Sequence, residues 1–498
     1  MSIVPGKLRT KMLLPLVLAA FTQTAYAATT DYELLLPQAP KDTAYLLPIS
    51  QALSDGNLAQ AETLVRARVG IAPEDAVAWE VLGVTLALGG DASGADAAYA
   101  KAVELEPKRL SAWVKRGDLA EAAGKMPDAM TYWTAAIEIA PAYAAAHQRL
   151  GGAYAAAGNL PRAIEHLEAA VAIEKPDVFA VKTELALVYN RAGRPGDTLA
   201  LLADAATKKD ARLMLALGNA HAQLGDAETA LSQYQRGIDA APDDNALLKA
   251  KGALQVETGD MTNAVATLSK PAAAMPVDSF SNLQYARALL ATGNSTDAIA
   301  AAERAASTDK TSDIARQALF VAARAHLLNR DFPKAIETTA QLVALFPDDP
   351  ASWREHAAIS GAIGRYPAAK DIYDEAIARF DNDAELLRGR SIVNLRLGQI
   401  DAAAEDAGLA ASLAPDWLEP RFLLGEIEQA RGQNDKAEAA FRAALAINPA
   451  HWPSMVNTAA LRLAAGDTAE ALQLAQMAVE ASGGAQAALD VLGKAKAQ

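Results

Sequence analysis

The sequence predicts an all-α fold, a right-handed α-solenoid superhelix of about 13 helix–turn–helix repeats. Three regularities predict it. Glycine stands at Gly56, Gly90, Gly124, Gly158, Gly193, Gly225, Gly259, Gly293, Gly364, Gly398, Gly432 and Gly466, mostly 34 residues apart, with one empty slot at Arg330. A glycine once per period, between two apolar helical stretches, fits a helix C-terminus that needs positive φ. Taking that glycine as the fifteenth position of a unit, position 20 is alanine in every unit but one, and position 8 is small in all but the first. Prolines 73, 107, 141, 242, 276, 347, 415 and 449 then fall at position 32, where each stops the second helix.

The elements follow in chain order. Residues 1–27 read as a secretory signal peptide. Lys7, Arg9 and Lys11 form a basic start, Met12 to Phe21 is apolar, and Ala25-Tyr26-Ala27 is a cleavage site used after Ala27. The apolar run is too short to span a bilayer; the alternative is an uncleaved N-terminal anchor. Residues 28–41, with two prolines, read as a linker. Units begin near residues 42, 76, 110, 144, 179, 211, 245, 279, 316, 350, 384, 418 and 452, and the array runs over residues 42–485.

Antiparallel helices approach closely only where side chains are small, which explains positions 8 and 20. Position 24 carries the filler: Tyr99, Trp133, Leu167, Leu202, Tyr234, Leu268, Tyr373 and Phe441. Unit 5 departs, with Thr198 in place of alanine and no closing proline. Irregular joins near 208–211 and 308–315, the latter with three extra residues, predict sub-boundaries, altered curvature or a hinge. Residues 486–498 predict a C-terminal capping helix that shields the last unit.

Composition narrows the function. Hydrophobic residues make up 51% of the chain but aromatics only 5%, as suits closely stacked alanine-rich helices. The net charge is −14, and the first 27 residues hold three basic residues and no acid, so the remainder is more acidic still. Such a chain repels phosphate backbones, and no nucleic-acid partner is expected. The absence of cysteine excludes disulfides, thiolate metal sites, a cysteine nucleophile and a lipid-modified N-terminal cysteine. After signal cleavage no later stretch is a membrane span, so the mature chain is expected in the periplasm or secreted.

No phosphate-binding loop, dinucleotide fingerprint, zinc-protease motif or nucleophile elbow is present. His147, His221, His326 and His356 fall at packing positions of first helices. No catalytic, cofactor-binding or metal residue is expected, and no cofactor. Asn294-Ser295-Thr296 matches a glycosylation sequon but lies in an inter-helix turn and carries no weight. No segment outside the array is long enough for a catalytic domain.

Trp79, Leu82, Gly83, Ala95, Tyr99, Ala102 and Pro107, and again Trp113, Gly117, Ala129, Trp133, Ala136 and Pro141, resemble the tetratricopeptide repeat family. The resemblance implies that first helices line a concave groove through positions 2, 5, 9, 12 and 13. In units 8 to 11 these positions hold Phe280, Arg287, Phe320, Arg324, Arg354, Arg388 and Arg396. Arg287, Arg324 and Arg354 have no acid three or four residues away on their own helix. One reading is a groove for an acidic peptide, a C-terminal carboxylate or an anionic polysaccharide. The competing reading pairs the arginines with acids of neighbouring units, such as Glu355 and Glu385. The family's clamp for acidic chaperone tails is not matched, because Leu215 and Ala250 fill the places beside Asn219.

The expected function is a non-catalytic protein–protein interaction scaffold in the bacterial cell envelope. Resemblance to periplasmic members suggests support of polysaccharide export or outer-membrane or secretion assembly, with envelope or secretion proteins as partners. The alternative is direct binding of an anionic polysaccharide, for which only Phe280, Phe320 and Phe422 would offer aromatic platforms.

Overall fold

The computed structural model describes residues 44–173, 179–204 and 209–497. The expected signal peptide (1–27) and linker (28–41) lie outside the described residues. Within them there are 27 helices and no strand. Twenty-six form thirteen antiparallel pairs, from Leu46–Ser54 with Leu58–Ile71 to Trp452–Ala464 with Thr468–Ala481, and Gln486–Ala497 packs against the last pair. The chain divides into two compact units between Leu247 and Leu248, within the helix Asn245–Glu257 and at neither irregular join.

The repeat register holds in every pair. All thirteen side chains at position 20, from Ala61 to Ala471 and including Thr198, are 0% exposed. Position 8 and position 24 face each other and trade volume. A methyl added at Gly83 would lie 2.7 Å from the Tyr99 ring, and one at Gly117, Gly151, Gly218, Gly252 or Gly425 would run into Trp133, Leu167, Tyr234, Leu268 or Phe441 of the same unit. Where position 24 is small, as at Ala302, Ala407 and Ala475, position 8 carries Ala286, Ser391 and Ala459. In these units the two side chains share one gap; in unit 10 Tyr373 stands with Ala357, and its ring fills instead the space over Gly389 of unit 11.

The closing prolines do more than end helices. The carbonyl of a position-32 proline has no intrahelical donor, and at five joins among the described residues the fourth residue of the next unit contacts it. Trp79 Nε1 donates to the Pro73 carbonyl at 2.8 Å, Trp113 to Pro107 at 2.9 Å, Trp353 to Pro347 at 2.9 Å, and Asn282 Nδ2 to Pro276 at 3.2 Å. His147 takes the same place, its Nε2 lying 3.1 Å from the Pro141 carbonyl. Asn294 of the sequon is likewise structural. Its side chain caps the following helix by accepting from the Asp297 backbone N–H.

Unit 9 fills its missing glycine with strain. Arg330 adopts φ 59°, the left-handed conformation of the twelve glycines at this place, and keeps their turn bonds from Arg330 N to Leu327 O and from Asp331 N to His326 O. A side chain with a Cβ is disfavoured there by roughly 1–2 kcal/mol. Arg330→Gly is therefore expected to raise stability by about 1 kcal/mol, read as a higher melting temperature; an unchanged or lower one would contradict the strain. The three extra residues before unit 9 lie in helix and not in a loop. They extend the first helix to 16 residues, Asp313–Leu328, where its neighbours have 13, and Ser312 caps the added turn by accepting from Ala315 N–H.

Unit 5 has a second helix of only 7 residues, Pro195–Leu201. Its Thr198 hydroxyl lies 2.9 Å from both the Ala186 carbonyl and Asn190 Oδ1, and Asn190 Nδ2 donates to the Ala216 carbonyl of unit 6 at 2.8 Å. The one departure from alanine at position 20 thus anchors a buried polar bridge to the next unit.

Candidate partner-binding groove

Units 10 and 11 enclose a groove of about 540 Å³ between their first helices, Pro350–Ala362 and Ala384–Arg396. Positions 5, 9, 12 and 13 of unit 10 line it, as do positions 5, 9 and 13 of unit 11, in accord with the inner-face pattern. Arg354, Arg388 and Arg396 are among these, with Tyr366 and Tyr373 contributed by the second helix of unit 10. Burial pushes the Tyr373 hydroxyl up to about 12, so it stays a neutral group at the groove floor.

The five candidate arginines divide by their partners. Arg324 reaches across to unit 10 and holds the Glu355 carboxylate with two bonds, Nε at 2.6 Å and a terminal nitrogen at 2.9 Å. Arg354 pairs with Glu385 of unit 11. For these two the competing reading describes the structure: each is held by an acid of the following unit. Arg287 and Arg396 are exposed and, among the described residues, make no ion pair or hydrogen bond. Arg388 is half-buried, its guanidinium 5.3 Å from the centre of the Trp417 ring, and its Nε is buried without a hydrogen-bond partner. The aromatic face holds the cation in place without neutralising it.

The seven candidates do not gather at one place. Phe280 lies beneath Lys249 Nζ at 5.1 Å, and that lysine pairs with Asp278 at 2.8 Å. Phe320 lies beside Arg316 at 5.8 Å. Both rings are half-buried in the first helices of units 8 and 9, away from the groove lining. Phe422 is half-buried, packs against Phe441 and meets His451 edge-on at 5.1 Å. The residue pattern alone does not single out Ile392, Tyr366, Tyr373 or Trp417. Ile392 stands at position 9, where the inner-face rule marks it, but a search for charge passes over an apolar residue among arginines.

The histidines behave as packing residues, with one chemical consequence. His147 and His166 face each other, Nδ1 to Nδ1, at 3.2 Å, and His166 stacks on Tyr154. Burial, and then the neighbouring His147, holds His166 below its ordinary pKa; burial does the same for His356 and His451. Each is harder to protonate folded than unfolded. Stability is therefore complete above the unfolded value of about 6.5 and declines as the pH falls past it toward the depressed folded values. The melting temperature is expected to drop between about pH 7.5 and about pH 5, and His166→Phe, which keeps the stacking, should recover part of the drop. An equal drop in the variant would remove His166 from the account. Among the described residues no group of three or more histidine, aspartate or glutamate side chains could hold a metal ion, and no helix is long and apolar enough to cross a membrane.

The family model for the tetratricopeptide repeat matches residues 89–144, 114–178, 183–245, 215–274, 283–350, 361–416 and 422–486. The chain belongs to the tetratricopeptide repeat family. Its array is a protein–protein interaction scaffold of the all-α solenoid type, and tetratricopeptide repeat proteins bind protein partners. No curated protein matches the chain. Among solved structures it is similar to a chain of the APC/C hetero-tetramer Cut9-Hcn1, with 14% identity and a TM-score of 0.39 over 98% of this chain and 99% of that one. It is also similar to yeast Tom70, with 14% identity and a TM-score of 0.44 over 86% and 96%, and to MamA, with 18% identity and a TM-score of 0.30 over 32% and 94%.

Proposed function

We propose that this tetratricopeptide repeat protein is a non-catalytic scaffold of the bacterial cell envelope that holds a protein partner in the groove of units 10 and 11. One observation carries the choice of surface: Arg388 and Arg396 present uncompensated positive charge to a groove, in a chain whose net charge is −14. A folded acidic protein has acids to spare for pairing, and Arg324 and Arg354 show that it uses them. The envelope location rests on the signal-like residues 1–27. Support of polysaccharide export or of outer-membrane or secretion assembly rests on resemblance to periplasmic members. Direct binding of an anionic polysaccharide is the alternative.

The test is affinity capture from the cell envelope after crosslinking, with the wild-type chain beside an Arg388→Glu/Arg396→Glu variant of unchanged melting temperature. Arg324 and Arg354 are left intact, because removing Arg324 would strand the buried Glu355. A protein partner lost from the variant supports the groove. A partner retained by the variant moves the binding surface elsewhere. Anionic polysaccharide captured without any protein replaces the reading by its alternative.

A further inference from the structure

The groove is specific about charge spacing, and this defines what fits it. Arg388, Ile392 and Arg396 follow one another at four-residue intervals along the groove-facing side of the helix Ala384–Arg396. Successive members are roughly 6 Å apart along the axis, and the arginines roughly 12 Å apart. Ile392 between them is 36% exposed, an apolar step open to the groove. Both carboxylates of the groove, on Glu355 and Glu385, are already engaged by Arg324 and Arg354. The free chemistry is therefore cation, apolar surface, cation.

An extended peptide presents alternate side chains on one face, roughly 6.6 Å apart. Residues i, i+2 and i+4 of such a segment span roughly 13 Å, close to the distance between the two arginines. From this match, and resting on the scaffold reading above, we propose that the groove recognises an extended segment of the partner protein with the pattern acid–x–apolar–x–acid. One acid meets Arg388, whose guanidinium Trp417 holds in place; the apolar residue covers Ile392; the second acid meets Arg396. A guanidinium offers a carboxylate a planar fork, so each end of the segment has a directional contact as well as a charge.

The probe is a seven-residue peptide carrying fluorescein on its N-terminal nitrogen and amidated at its C-terminus, with glutamate at its second and sixth places, leucine at its fourth and alanine elsewhere. A scrambled peptide of the same composition sets the two glutamates side by side. Binding to the full chain is followed by fluorescence anisotropy. The matched peptide is expected to bind roughly tenfold more tightly than the scrambled one, and Arg388→Gln or Arg396→Gln to weaken it roughly tenfold each. Arg287→Gln, in unit 8, should leave binding unchanged. Equal binding of the two peptides, indifference to both groove substitutions, or failure of the matched peptide to bind while polygalacturonate does so through the same arginines would each overturn the proposal. Should Arg388→Gln fail to fold, the peptide comparison and Arg396→Gln still decide it. Loss of a crosslinked partner from the double arginine variant without matched-peptide binding would remove the spacing rule and keep the scaffold. Peptide binding with no captured protein would do the reverse.

Discussion

Gly117→Ala should destabilise the array by about 1–3 kcal/mol and Trp133→Ala by about 3–5 kcal/mol, while the double variant should cost clearly less than the two together. Trp133 is 0% exposed and its ring occupies the space that a Cβ on residue 117 would need. Adding the methyl alone forces the indole from a fully packed site. Removing the indole alone leaves a cavity the size of its ring system, with no neighbour able to collapse into all of it. Making both changes sets a methyl against a methyl, the arrangement that unit 13 already uses at Ala459 and Ala475. The coupling between two such neighbours should be of order 1–3 kcal/mol. Stacked repeats can unfold in stages, so the measurement is denaturant unfolding joined to hydrogen exchange resolved to unit 3. Strict additivity of the two changes would mean that residues 117 and 133 do not share one gap, and the thirteen-unit register would fall with it.

Thr198→Val should lower stability by about 1–3 kcal/mol despite conserving volume. The site is fully buried, and valine has nearly the volume and branching of threonine, so it meets no steric objection. The loss comes from Asn190, whose Oδ1 would remain buried with its hydroxyl donor gone while Nδ2 still serves the Ala216 carbonyl. Thr198→Ser retains the hydroxyl and should cost less than valine. If valine proves as stable as threonine, the polar bridge between units 5 and 6 contributes nothing, and the short helix Pro195–Leu201 must be held by its apolar contacts.

Spacing made the architecture legible. A fixed glycine, alanine and proline every 34 residues locate the helix pairs without reference to any contact, and the buried alanines at position 20 follow from that register. The groove was half legible. Positions 5, 9, 12 and 13 do line it, but whether an arginine there is free depends on side chains one period away. Arg324 finds Glu355 at a separation of 31 residues and Arg388 finds Trp417 at 29, whereas a search along a single helix looks only three or four residues out. Glu355 and Glu385 of the neighbouring units stand as competing partners in the sequence, but the residue pattern does not decide which arginines they take. The conformation of Arg330 is legible in the register, since it fills the slot that twelve glycines occupy with positive φ, and the turn bonds around it impose that backbone on whatever residue stands there.

The proline-carbonyl bond is not present at every join. Residues Trp113, His147 and Trp353 tie their units to the ones before, but at the start of unit 11 the fourth residue is Leu387, which has no donor to give, and the place of the closing proline is taken by Asp381. The turn there passes instead through Asn382 at φ 65°. The two walls of the groove thus meet at a joint that lacks the tie securing other joints, with the Arg354–Glu385 pair spanning it near the mouth. Arg390 of unit 11 also reaches back to Asp374 of unit 10 at 2.8 Å, so ion pairs hold this joint in place of the proline-carbonyl bond. Mechanically the joint is electrostatic: raising the salt concentration would loosen it before the joints tied by a proline carbonyl.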